Sequence, residues 1–139
     1  KMLQLNKFKN KIIGGAENLP FPDNSFDSVY CAFVWRNVND PTKGIEEVYR
    51  VLRPGGKFIL LDMTRPKNEF LKFLHKIGTF KLTLLIGLLT FNLKEYRFLY
   101  NSLDFYPQPE EHLNKDNFID LKIERMGLFN FVYLAVFTK

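Results

Sequence analysis

Two apolar runs, separated by one capped amphipathic segment, constrain this chain most. Ser28 to Val34 is nearly continuously apolar, through Val29, Tyr30, Cys31, Ala32, Phe33 and Val34. Lys57 to Asp62 carries Phe58-Ile59-Leu60-Leu61. Unbroken runs of this length predict strands buried on both faces, as in a parallel sheet. Between them, Asp40-Pro41 predicts a helix start, with Asp40 as N-cap and Pro41 at the first helical position. Ile45, Val48, Tyr49 and Leu52 then recur at helical spacing. Arg53-Pro54-Gly55-Gly56 predicts the stop. Strand, helix and strand within about 35 residues make a right-handed parallel βαβ unit.

The flanks are less regular. A short strand is predicted over 8–13, ended by Gly14-Gly15, and Leu19-Pro20-Phe21-Pro22-Asp23-Asn24-Ser25 reads as a turn-rich loop. Residues 68–81 and 82–92 read as a helix pair, with Gly78 and Gly87 as weak points. A further helix is predicted over Leu93–Phe105, with Tyr96, Leu99, Tyr100 and Leu103 on one face. Pro107 and Pro109 break it, and Glu110-Glu111 suits a short helix start. Leu121–Met126 and Phe131–Thr138 read as strands, and the short link Gly127-Leu128-Phe129-Asn130 makes them antiparallel.

Composition narrows the function classes. The chain has 139 residues, 46% of them hydrophobic and 25% charged, which is a folded composition. Its single cysteine, Cys31, excludes a disulfide framework and points to a reducing compartment. Cys31, His75 and His112 have no metal-ligand spacing. The net charge of +5 is spread over both halves, so no nucleic-acid stripe forms. The N-terminus lacks the apolar core of a signal peptide. The longest uncharged run, Leu82–Leu93, is too short for a bilayer span, which needs about 20 residues. The stretch 70–93 reads as amphipathic, either packed on a core or touching a lipid-like ligand.

Four blocks carry a resemblance. Gly14-Gly15-Ala16-Glu17-Asn18-Leu19-Pro20-Phe21-Pro22-Asp23-Asn24-Ser25-Phe26-Asp27 resembles the third-strand region of class I S-adenosylmethionine-dependent methyltransferases. Ala32-Phe33-Val34-Trp35-Arg36-Asn37-Val38 is similar to the fourth-strand exit of the ubiquinone/menaquinone C-methyltransferase family. Tyr49-Arg50-Val51-Leu52-Arg53-Pro54-Gly55-Gly56-Lys57 and Leu61-Asp62-Met63-Thr64-Arg65-Pro66 resemble the approach to strand five and its end. The resemblance implies a Rossmann-like α/β methyltransferase sheet, with parallel strands closed by an antiparallel C-terminal hairpin and with inserted helices. One domain follows: a βαβ core over 1–67, a helical substrate region over 68–116 and a closing hairpin over 117–139.

In an open parallel sheet, ligands bind outside the carboxyl ends of the strands. Residues 14–16, 33–37 and 62–65 lie at such ends. The resemblance implies cofactor contacts from Gly15, Ala16, Glu17, Ala32 and Phe33, although a glycine pair also fits a plain strand-ending turn. It implies that Arg36 and Asn37 face a quinol-like ring. Arg36 would stabilise developing phenolate charge, and Asn37 would orient a ring oxygen or a water. The other reading of Arg36 is a salt bridge at the strand end. Asp62 is a weaker candidate, with an ion pair to Arg65 as its other use. Trp35, Tyr96, Tyr100 and Phe105 would stack on an aromatic acceptor or join the core.

The sequence departs from the family both before and within these blocks. No glycine-rich loop after a first strand and no acidic second-strand end are present, Gly15 replaces a polar residue, and Val34 replaces glycine. The family sheet order is 3-2-1-4-5-7-6, and strands 1 and 2 are missing here. The expectation is therefore the carboxyl-terminal part of a longer chain. The implied function is methyl transfer from S-adenosylmethionine to a small apolar aromatic, quinol-like acceptor in ubiquinone/menaquinone biosynthesis. The alternative is a non-catalytic methyltransferase-like binding or partner subunit. A cytoplasmic location is expected, with room for peripheral membrane contact and a homodimer, and without nucleic acid.

Overall fold

The computed structural model describes residues 10–113 and 117–139, apart from the side chain of Phe105. In chain order the elements are β1 (Phe26–Ala32), α1 (Pro41–Val51), β2 (Leu52–Met63), α2 (Glu69–Leu89), α3 (Leu93–Phe105), α4 (Pro109–His112), β3 (Asp120–Met126) and β4 (Val132–Thr138). Single 3-10 turns occupy Trp35–Asn37 and Leu128–Asn130. The predicted cap holds: Asp40 Oδ1 accepts the Lys43 N–H at 3.0 Å, with Pro41 opening α1. Leu52 N–H closes the last turn on Val48, and β2 starts at once.

The four strands form one sheet in the order β1-β2-β4-β3. β1 and β2 are parallel, with Cys31 beside Leu60. β4 pairs antiparallel with both β2 and β3, and Asp62 stands opposite Tyr133. Side chains alternate across a strand. Phe58, Leu60, Asp62, Tyr133, Ala135 and Phe137 are accordingly all fully buried on one face. Trp35, Ile45, Val48, Leu113 and Phe118 cover that face. Phe58 lies 5.3 Å from Trp35 and 5.4 Å from Phe137 between ring centroids.

Three expectations change. Residues 10–13 form no strand, and 8–9 lie outside the described residues. Among the described strands β1 is the outer one, and the sheet order includes no strand from 10–13 beside it. The strand predicted to Val34 stops at Ala32, where Phe33 takes a left-handed φ of 57°. It is also buried on one face only, since Tyr30 on the other is 74% exposed. Finally, 68–92 is not a helix pair: α2 runs unbroken through Gly78 and Gly87. Gly87 instead allows close packing, because a Cβ there would stand 3.1 Å from the Leu93 backbone at the start of α3.

Candidate active site at the carboxyl end of β1 and β2

Two strand ends build the site. β1 ends at Ala32, and the Phe33 N–H still bonds to Leu61 O on β2 at 2.8 Å. The left-handed backbone at Phe33, which costs a bulky residue about 1–2 kcal/mol, throws the chain off the sheet into the 3-10 turn. That turn delivers Arg36 over the end of β2. Asp62, fully buried, accepts from the Arg36 backbone N–H at 3.1 Å, from Arg36 Nη1 and from the Met63 N–H at 2.8 Å. Arg36 Nε donates to Ser102 Oγ on α3 at 3.3 Å. Arg36 and Asn37 line a pocket of about 320 Å³ with Val38, Phe98, Ser102 and Tyr106. Among the described residues Arg36 Nη2 has no protein acceptor, so one donor edge stays available to a ligand oxygen.

The pairing of charges differs from the expected one. Asp62 pairs with Arg36, and Arg65 pairs with Asp104 on α3 at 2.8 Å. A second polar layer lies behind Asp62. The Tyr106 and Tyr133 phenols are pushed up by burial, with the Asp62 charge adding to both. Burial first and Asp62 second push the Cys31 thiol up, which keeps it protonated and unsuited to nucleophilic work. His112 is pushed down by burial, and its Nδ1 sits 2.8 Å from Gln108 O. Its Nε2 meets no hydrogen-bond partner among the described residues. The layer was not legible in the sequence: Tyr106 and His112 meet locally, with ring centroids 4.5 Å apart, but only the register of β4 on β2 brings Tyr133 opposite Asp62.

The other candidates separate. Trp35, expected at the acceptor, is 2% exposed and packs in the core against Phe58. The signal for this was Gly44: a Cβ there would lie 2.9 Å from the Trp35 ring, so the missing side chain makes room for the indole. Tyr100 borders a different groove, between α2 and α3, and its ring lies 4.9 Å from the Arg65 guanidinium carbon. Tyr96 is half-buried on α3 and lines neither pocket. The side chain of Phe105 lies outside the described structure.

For a cofactor, Ala32 and Phe33 present an accessible surface at the end of β1. Gly15 O accepts from the Asn18 N–H at 3.2 Å in a tight turn, and Ala16 packs against the core. Glu17 is engaged within the fold. Its carboxylate is held low by its own N–H first, and it accepts from the Asn39 and Asp40 N–H groups at 3.0 and 3.4 Å. It therefore braces the entry to α1.

Comparison with known proteins gives the family and the fold. The profile of the ubiE/COQ5 methyltransferase family matches residues 6–128. The ubiquinone/menaquinone biosynthesis C-methyltransferase UbiE of Rickettsia bellii is 42% identical over 114 residues, covering 80% of this chain and 46% of that protein. The Rickettsia akari protein of the same name is 40% identical over the same shares. The chain thus spans about half the length of these relatives. Among solved structures, a SAM-dependent methyltransferase of Thermotoga maritima, described as a possible histamine N-methyltransferase, superposes with a TM-score of 0.59. It is 21% identical and is matched over 91% of this chain and 62% of its own. The MccD protein superposes at 0.52 with 15% identity, over 91% of this chain and 65% of its own. Both likenesses concern the Rossmann-like fold. By its sequence the chain belongs to the ubiE/COQ5 methyltransferase family.

Proposed function

We propose that this chain carries the acceptor side of an S-adenosylmethionine-dependent C-methyltransferase acting on a small apolar aromatic, quinol-like ring. The observation that carries the reading is the Arg36–Asp62 pair at the rim of the Asn37–Phe98–Ser102–Tyr106 pocket. The cofactor, when bound, supplies an electrophilic methyl group on a sulfonium. The chain's own residues then have a positioning and electrostatic task. A phenolic ring becomes nucleophilic at carbon as its O–H proton passes to solvent water and charge develops on its oxygen; the new carbon–methyl bond replaces the methyl–sulfur bond, and the methylated carbon then loses its own proton to water. Asp62 fixes the guanidinium of Arg36, and the free Nη2 edge meets that oxygen. Arginine stays protonated, so it stabilises the charge and is not a base. Asn37 orients the ring oxygen or a water, and the ring of Phe98 shields one wall from solvent. Ala32 and Phe33 form the floor on the cofactor side.

The reading is tested by Arg36→Ala and Arg36→Lys, assayed with labelled S-adenosylmethionine and a short-chain quinol. Loss of a preorganised charge-stabilising donor lowers kcat by roughly 100-fold or more. Arg36→Lys recovers only part, because a lysine does not reproduce the fixed planar fork. Calorimetric affinity for S-adenosylmethionine should be unchanged in both. Unaltered turnover in Arg36→Ala would overturn the role of Arg36, and absence of cofactor binding by the full-length protein would overturn the enzyme reading. We infer a cytoplasmic reaction, within reach of a membrane face. Among the described residues no helix is long and apolar enough to cross a membrane.

A further inference from the structure

Helix α2 carries an exposed apolar stripe that the proposed chemistry does not use. Phe70, Phe73, Ile77, Phe80, Leu84 and Leu88 recur at spacings of three and four and are all exposed. At 1.5 Å per residue the stripe is about 27 Å long. Isolated apolar residues on a surface mean little, but a contiguous row of this size marks a docking face. At the turn beyond it Phe91 is 95% exposed. The opposite side of the helix is the anchored one, with His75 buried and Thr79 bonded to Arg65.

Two features say what covers the stripe. The first is charge. Lys81 lies within the row, and Lys94 and Arg97 stand on the adjoining helix α3, all exposed. Among the described residues no carboxylate is within salt-bridge distance of any of the three, whereas Lys72 and Lys76 on the flank pair with Glu69 and Asp104. A second copy of the same face would bring these cations together, while an anionic surface would neutralise them. The second is shape. Phe80 and Leu84 of the stripe also wall a groove of about 570 Å³ between α2 and α3, with Leu93, Tyr100 and Arg97 on its other side. An apolar surface continuous with an apolar groove and edged by a cation fits lipid chains with their headgroups.

We propose that the α2 stripe is a lipid-docking face, lying flat on a bilayer that contains anionic headgroups. The helix sits at the boundary of headgroups and chains with its apolar side inward, as interfacial amphipathic helices do. Lys81 reaches back to the headgroups along its own methylene stem. The proposal goes beyond the methyl-transfer reading and stands whether or not that reading holds.

Co-sedimentation of the chain with vesicles tests it. With phosphatidylcholine vesicles holding roughly 30% phosphatidylglycerol, the protein should pellet with the lipid, and much less so with phosphatidylcholine alone or in high salt. Lys81→Gln and Lys94→Gln should each weaken partition by about fivefold, the share of one cation near an anionic surface. Phe73→Ser/Ile77→Ser should weaken it at least tenfold. Both positions are exposed, so circular dichroism should show the fold intact. Phe73→Trp supplies an independent readout: its emission should shift to the blue when vesicles are added, against a constant signal from buried Trp35. No pelleting with anionic vesicles overturns the proposal, as does equal pelleting of the serine variant. A dimer in sedimentation equilibrium that dissociates in the serine variant, with no vesicle binding, would assign the face to self-association and overturn it equally.

Discussion

At the scale of the residue, Asp62 organises the site. It is fully buried, and it receives a guanidinium and two backbone N–H groups. Breaking a buried pair from one side leaves the other charge without compensation, which costs about 3–5 kcal/mol. Asp62→Ala should therefore lower unfolding free energy by that amount, measured by urea titration, and should also free Arg36 from its place above the pocket. Trp35 shows how a residue's role is set by a partner elsewhere. The sequence placed it in a run that resembles an acceptor site, between Val34 and Arg36. The hole left by Gly44 turns it into the core. Gly44→Ala gains helix propensity of about 1 kcal/mol, yet its methyl would collide with the indole at 2.9 Å. Overpacking of this kind costs about 1–3 kcal/mol. The net effect should be destabilising, with a red shift of the Trp35 emission as the ring is displaced. Arg36 and Asn37 were legible as a polar pair after an apolar strand. Their companions Phe98, Ser102 and Tyr106 were not, because nothing local in α3 records which strand end it will face.

At the scale of the element, α1 and the two strands beside it were legible from their caps and periods. Asp40, Pro41 and the apolar stripe of α1 act within a few residues of themselves. Helix α2 was misread because a glycine can be a breaker or a packing site. Gly78 looks onto open space, and its cost of about 1 kcal/mol is spread over a 21-residue helix. Arg65 is what ties α2 and α3 to the end of β2. It donates to Asp104 at 2.8 Å, to Thr79 Oγ1 at 2.8 Å and to Tyr100 O at 3.2 Å, and its Nη1 stands 3.2 Å from His75 Nδ1. Since arginine only donates, His75 accepts at Nδ1 and carries its proton on Nε2. Burial first, then the Arg65 charge, push His75 down, with Asp104 opposing. A histidine held below its unfolded value of about 6.5 binds its proton more readily in the unfolded chain. Stability is then full above that value and falls as pH drops through it. His112, pushed down by burial, acts in the same direction. Urea midpoints should fall between pH 7.5 and pH 5.5, and His75→Gln/His112→Gln should flatten that slope. A midpoint in the double variant that falls as steeply as in the parent would reject this assignment.

At the scale of the whole molecule, stability is concentrated in the centre of the sheet. The order β1-β2-β4-β3 puts the two most buried strands side by side. Phe58, Leu60, Tyr133, Ala135 and Phe137 interlock there, and α1 and Phe118 close over them. This order was legible only through the family resemblance, since a short link fixes the β3–β4 hairpin but says nothing of β4 inserting beside β2. Among the described strands, β1 is the edge and stands apart. In a strand, alternate N–H groups point to opposite sides, so about half of those in β1 face away from β2. Its Tyr30 side, too, is open to solvent. Native-state hydrogen exchange should resolve this as two classes. Amides of β2 and β4 between 58 and 62 and between 133 and 137 should open only with global unfolding, so their exchange should track the urea-derived free energy. The outward amides of β1 should exchange at least 100-fold faster. Uniform protection across β1 would show that its outer edge is paired in solution, and would move the limit of the sheet beyond the described strands.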